Sequence, residues 1–93
     1  MKKSIHRVPL PSVTYRKLPR GCFGLWKDTR QPMRLPGKIQ IDYRLKNKIL
    51  LDTLIHELLH EFLPDLTEER VTTVATCIAE VLWDHRFREV PGV

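Results

Sequence analysis

The apolar positions change their spacing near residue 45. Before it they alternate or come in short runs broken by Pro9, Pro11, Pro19, Pro32 and Pro36, too closely spaced for a long helix. Lys38–Tyr43 (KIQIDY) alternates cleanly, with Ile39, Ile41 and Tyr43 on one side and Gln40 and Asp42 on the other, and predicts the best strand. Ser4–Leu10, Ser12–Leu18 and Cys22–Lys27 (CFGLWK) predict three more strands, and Lys27–Gly37 a loop.

Beyond it no Pro or Gly interrupts Leu45–Leu63, which predicts a long helix. Pro64-Asp65 marks a turn, and Thr67 is a good N-cap for a second helix that opens with Glu68, Glu69 and Arg70 and ends near Phe87. Val71, Val74, Ala75, Ile78 and Leu82 form its apolar face. The expected fold is α+β: a small N-terminal antiparallel or mixed β-sheet packed on a C-terminal antiparallel helical hairpin. It forms one domain over 1–93, with a β-rich basic half (1–43), a first helix (44–63) and a second (67–87).

Ninety-three residues suit one small domain with a modest core. A hydrophobic content of 42% with 29% charged residues argues against wholesale disorder. No apolar run approaches the ~18 residues of a membrane span, and no apolar stretch follows Met1-Lys2-Lys3 as a secretory signal requires. Cys22 and Cys77 make no disulfide framework, so the expected location is cytoplasmic, with free thiols and no membrane partner.

The net charge of +5 conceals a division. Residues 1–48 hold 13 Lys and Arg against Asp28 and Asp42, whereas residues 49–93 hold Arg70, Arg86 and Arg88 against nine acids. A basic half can pack on an acidic one or meet an anionic partner. Lys2, Lys3, Arg7, Arg16, Lys17 and Arg20, with Tyr15 among them, suit non-specific nucleic acid or an acidic partner in an assembly.

The candidate chemistry lies within the first helix, at His56-Glu57-Leu58-Leu59-His60. Residues four apart share a helix face, so His56 and His60 can reach one metal. Glu57 projects beside them, where it can take a proton from a metal-bound water. Leu51, Leu54, Ile55, Leu58 and Phe62 form one apolar face, while Leu45, Ile49 and Leu63 lie on the histidine side. A helix apolar on two sides is sandwiched, and its partly buried imidazoles need a shared partner. Glu61, directly after the motif, is expected at the rim.

Catalytic zinc usually takes three protein ligands. The downstream candidates are Glu68, Glu69, Glu80 and His85. An antiparallel return brings residues 68–73 level with the histidines and leaves Glu80 and His85 too far along. Glu68 shares the inward face of Val71 and Ala75, whereas Glu69 points mostly away; Glu68 is the expected ligand and Glu69 the runner-up. Tyr43, Tyr15, His6 and His85 are candidates to steady an oxyanion, Tyr43 reading more readily as core. Trp26 and Trp83 read as core, Cys77 as a structural thiol, and Cys22 as a weak metal candidate. Lys38–Tyr43 is either an interior strand or an edge that pairs with an extended peptide.

GKIQIDYRLKNKILLDTLIHELLHEFLPDLTEERV (37–71) resembles the core of HExxH zinc metallopeptidases, in minimal gluzincin form. It looks most like the short SprT-like or gluzincin-like proteins of phages and prophages, in which "LIHELLH" is closely followed by an "LTE-x-x-V" helix start. The resemblance covers 37–83 and scarcely touches 1–36. It implies Zn²⁺ held by His56, His60 and Glu68, with Glu57 as general base acting on a peptide or protein substrate. The glutamate ligand follows the gluzincin pattern rather than the histidine of SprT-like domains. The rival expectation is a catalytically silent metal-binding structural or assembly protein, such as one of a phage particle, which would place it in the host cytoplasm or the virion; a third is a basic nucleic-acid-binding accessory.

Overall fold

The structure, a computed structural model, describes residues 10–27 and 37–88. Five elements follow in order: β1 (Ser12–Arg16), β2 (Gly24–Lys27), β3 (Lys38–Asp42), α1 (Asn47–Phe62) and α2 (Glu68–Asp84). The architecture is α+β, with a mixed sheet and an antiparallel helical hairpin. Three of the four expected strands are present. The fourth, Ser4–Leu10, falls outside the described residues except for Leu10, which is in no strand; 28–36 of the expected loop also lie outside.

The best-patterned strand takes the centre. The sheet order is β1-β3-β2, β1 running parallel to β3 and β2 antiparallel to it. The expected strand Lys38–Tyr43, present as β3, is therefore interior and offers no free edge for a peptide; among the described residues β1 and β2 are the edges. The register places Val13, Ile39 and Trp26 in one row and Tyr15, Ile41 and Gly24 in the next. These rows face α1, and Ile39 and Ile41 are fully buried. The opposite face pairs Lys27 with Lys38 in register, both exposed.

Helix α1 lies between the sheet and α2, and α2 packs on α1 alone among the described elements. Its most buried side chains are Thr53, Glu57 and Glu61, one line at i, i+4 and i+8. The leucine face expected to bury most is only partly covered, and Phe62, Ile49 and Leu63 are exposed. Val71, Ala75 and Ala79 are the buried line of α2, so its packed face is rotated away from Ile78, which is exposed. Small alanines let the helix backbones approach closely, which favours that line over the bulkier one.

Each helix is bounded by local chemistry. Asn47 opens α1 with φ of 61°, a left-handed conformation that Asn tolerates, so the helix starts two residues later than expected. The Thr67 side chain accepts from Arg70 N at 3.1 Å, the N-cap that its residue type predicts. At the other end Arg86 is left-handed (φ 70°), Arg86 N donates to Trp83 O at 2.9 Å and Phe87 N to Leu82 O at 3.0 Å. That Schellman pattern stops α2 at Asp84, short of Phe87. Among the described residues no helix is long and apolar enough to cross a membrane.

A clamp at the end of β3 ties the sheet together. Asp42, 3% exposed, accepts from Leu18 N (3.2 Å), Arg44 N (2.9 Å) and the Arg44 guanidinium (2.6 and 2.8 Å). Arg44 Nη2 donates also to Leu18 O at 3.3 Å. The strand ends there, leaving Tyr43 in the following turn and 58% exposed, which removes it from the core it was expected to join. The Arg44 side chain, aided by the Arg44 and Leu18 N–H groups, holds the Asp42 carboxyl well below the usual carboxylate range. A carboxylate depressed in the fold contributes stability above its unfolded pKa of about 3.9 and loses it as pH falls below that value. Asp42→Asn is therefore expected to melt lower at neutral pH and to show a smaller further loss between pH 5 and 2 than the parent, as read by thermal melts.

Candidate metal centre and its cleft

The helical periodicity of α1 and the short turn at 63–67 bring three side chains together. His56 Nε2 lies 2.8 Å from Glu68 Oε2, and His60 Nε2 lies 2.9 Å from Glu68 Oε1. One ligand atom from each falls within 4.8 Å of the other two. Glu68 reaches them because it stands on the first turn of α2, three residues before the buried Val71, where the capped helix begins. Glu69 does not join them, nor do Glu80 and His85: Glu80 pairs with Lys48 at 2.9 Å, and the His85 ring bonds to Val81 O. The Cys22 thiol donates to Gly24 O and stays outside the cluster.

Both imidazoles are about four-fifths covered, at 19% and 20% exposure of their side chains. The cover is not the apolar second side that the helix pattern suggests, since Ile49 and Leu63 are exposed. It comes in part from the edge strand, where Trp26 stacks on His60 with ring centroids 5.8 Å apart and planes 19° from parallel. Two imidazoles and a carboxylate form a donor set that could hold a divalent metal ion, and no fourth His, Cys, Asp or Glu joins them among the described residues.

Glu57 faces the sheet and lines the same cleft as His56, His60, Glu68, Gly24, Leu25 and Trp26. It is 7% exposed, and burial pushes its carboxyl up; the Glu68 charge pushes the same way, and His60 opposes it. Room for it depends on Gly24. A Cβ there would stand 3.0 Å from Glu57 Cγ and Oε2 and 2.9 Å from Thr53 Cγ2. A second arm of the cleft, about 550 Å³, opens past His56 between the helices and the 21–24 turn.

Glu61 is not at the rim. It is 3% exposed and accepts from Trp26 Nε1 at 2.8 Å and from Gly37 N at 3.1 Å to each oxygen. Its carboxylate thus ties the end of β2 to the start of β3 and fixes the indole that covers His60. A Cβ on Gly37 would collide with Glu61 Oε1 and come within 2.7 Å of Trp26 Nε1. Trp26 is therefore a site-facing residue rather than plain core. Sequence reasoning missed Gly24, Trp26 and Glu61; a Glu at i+4 from Glu57 was the one available signal.

Among the described residues, none of the expected oxyanion-steadying groups lines the cleft. Tyr15 lies in a separate groove with Leu54 and Trp83, and neither Tyr43 nor His85 lines either arm of the cleft. His6 lies outside the described residues.

No family model, curated protein or solved structure matches the chain. The cleft's own chemistry is what speaks for its use.

Proposed function

We propose that the chain is a zinc-dependent peptidase, with His56, His60 and Glu68 as the metal ligands and Glu57 as the general base. The carrying observation is the convergence of both histidines on Glu68 while Glu57 lies buried in the same cleft. A zinc ion held by these three would supply Lewis acidity, polarising a carbonyl and acidifying water.

The protein's own residues would do the rest. Glu57 would accept the proton of the attacking water and pass it to the leaving amine; its raised pKa brings it nearer to that task than an exposed carboxylate. The outer edge of β2 at Gly24, Leu25 and Trp26, which no other described strand shares, borders the cleft and would pair with an extended peptide by main-chain hydrogen bonds. Trp26 would hold the His60 ring in place through its stack, with Glu61 fixing the indole. Free thiols at Cys22 and Cys77 suit a reduced, cytoplasmic setting.

Elemental analysis of purified protein tests the site. The parent is expected to hold about one zinc per chain after zinc is supplied, and His60→Ala and Glu68→Ala little or none after dialysis. Zinc retained by Glu68→Ala would move the third ligand elsewhere. No zinc in the parent would end the peptidase proposal.

A further inference from the structure

The polar stripe that carries the metal site continues beyond it. In steps of four, α1 presents His60, His56, Asp52 and Lys48, and α2 presents Glu68, Thr72, Thr76 and Glu80. Three rungs cross between the helices. His60 Nε2 meets Glu68 at 2.9 Å, Thr76 Oγ1 donates to Asp52 Oδ2 at 3.1 Å, and Lys48 Nζ donates to Glu80 Oε2 at 2.9 Å. Asp52 therefore stands one turn, roughly 6 Å, from His56 along the axis.

The larger arm of the cleft runs along this stripe. Phe23 and Ile49 give it apolar walls, Thr72 and Thr76 line the α2 side, and Asp52 lies beyond His56 and Glu57. Among the described residues its lining holds the carboxylates of Asp52, Glu57 and Glu68 and no Lys or Arg. Glu57 is committed to the sheet side and Glu68 to the histidines, which leaves Asp52 as the open charge of this arm. Lys48, the cation one turn away on α1, is taken by Glu80. Thr76 orients the Asp52 carboxylate without neutralising it.

We infer that this arm receives the lysine or arginine side chain of a substrate residue beside the scissile bond, with Asp52 accepting its charged head. Phe23 and Ile49 cover the methylene stem, which long cationic side chains bury readily while the head stays polar. The span from His56 to Asp52 suits the long stem of lysine or arginine better than a short one. The inference rests on the peptidase proposal for what is cut; the charge and shape of the arm stand apart from it.

Its test uses zinc-loaded Glu57→Gln, designed to hold a peptide without cutting it, and acetylated octapeptides that carry one Arg at each position in turn, or norleucine in its place. By calorimetry the best Arg peptide is expected to bind about tenfold tighter than its norleucine twin. The advantage should shrink as salt rises from 0.05 to 0.5 M, roughly as screening of a partly exposed pair demands. Adding Asp52→Asn, which keeps an acceptor for Thr76, should lower the Arg peptide to the norleucine affinity. Adding Asp52→Lys should reverse the preference towards glutamate peptides. Equal binding of Arg and norleucine peptides, or a preference that survives Asp52→Asn or high salt, would overturn the assignment. Asp52-dependent binding with no cleavage of any peptide by the parent would sink the peptidase proposal and leave the cation site standing; cleavage without cationic preference would do the opposite.

Discussion

Glu57→Gln is expected to keep its zinc and to cleave peptides about 10²–10⁴-fold more slowly than the parent, the usual contribution of a positioned general base. The substitution is nearly isosteric, which matters because the side chain fills the space that a Cβ on Gly24 would need. An amide cannot take the proton, while the two histidines and Glu68 that would hold the metal are untouched. Single-turnover cleavage, with metal content measured on the same preparation, separates the two effects. Parental activity in Glu57→Gln would refute the mechanism, and loss of zinc would show that Glu57 holds the ion instead of serving it.

Glu61→Ala is expected to lower stability by about 1–3 kcal/mol for the buried Gly37 N–H that loses its acceptor, with a further loss from the half-buried bond of Trp26 Nε1. Domains of this size hold only ~5–15 kcal/mol in total and shift their melting point by ~4–8 °C per kcal/mol, so the midpoint should fall by roughly 10 °C or more. Glu61→Gln should recover part of the loss, because one amide oxygen can still accept from Trp26 while the NH₂ opposes the Gly37 donor. Circular-dichroism melts of the three proteins decide it. A parental midpoint for Glu61→Ala would mean that the β2–β3 tie is dispensable. The indole freed from Glu61 should also release its stack on His60, so zinc affinity is expected to fall in the same variant.

The two histidines and Glu57 were legible because a helix repeats every 3.6 residues, and five letters suffice to place them on adjoining faces. Glu68 was legible for a related reason. A short turn and a capped second helix leave few positions level with the motif, and the distance from the turn excludes Glu80 and His85. The strand Lys38–Asp42 and the start of α2 at Thr67 came from equally local signals, alternation in one case and a hydroxyl N-cap in the other.

Glu61 was misjudged on the same logic that found the others. A charged residue after an apolar run belongs at a rim unless partners await it inside, and its partners stand 35 and 24 residues away. Tyr43 failed for a comparable reason. Alternation assigns it to the buried side, but Asp42 and Arg44 end the strand one residue earlier.

By itself, then, the sequence determined the order of the elements, the α+β class, the helix that holds the histidines and the glutamate that meets them, since each depends on spacing within one or two turns of chain. Tertiary structure alone decided which strand lies at the centre, which edge borders the cleft, why Gly24 must lack a side chain, and how Asp52 comes to stand over an arm with no cation among its described lining. Those depend on contacts between residues far apart in the chain, and such contacts leave no period in the sequence to read.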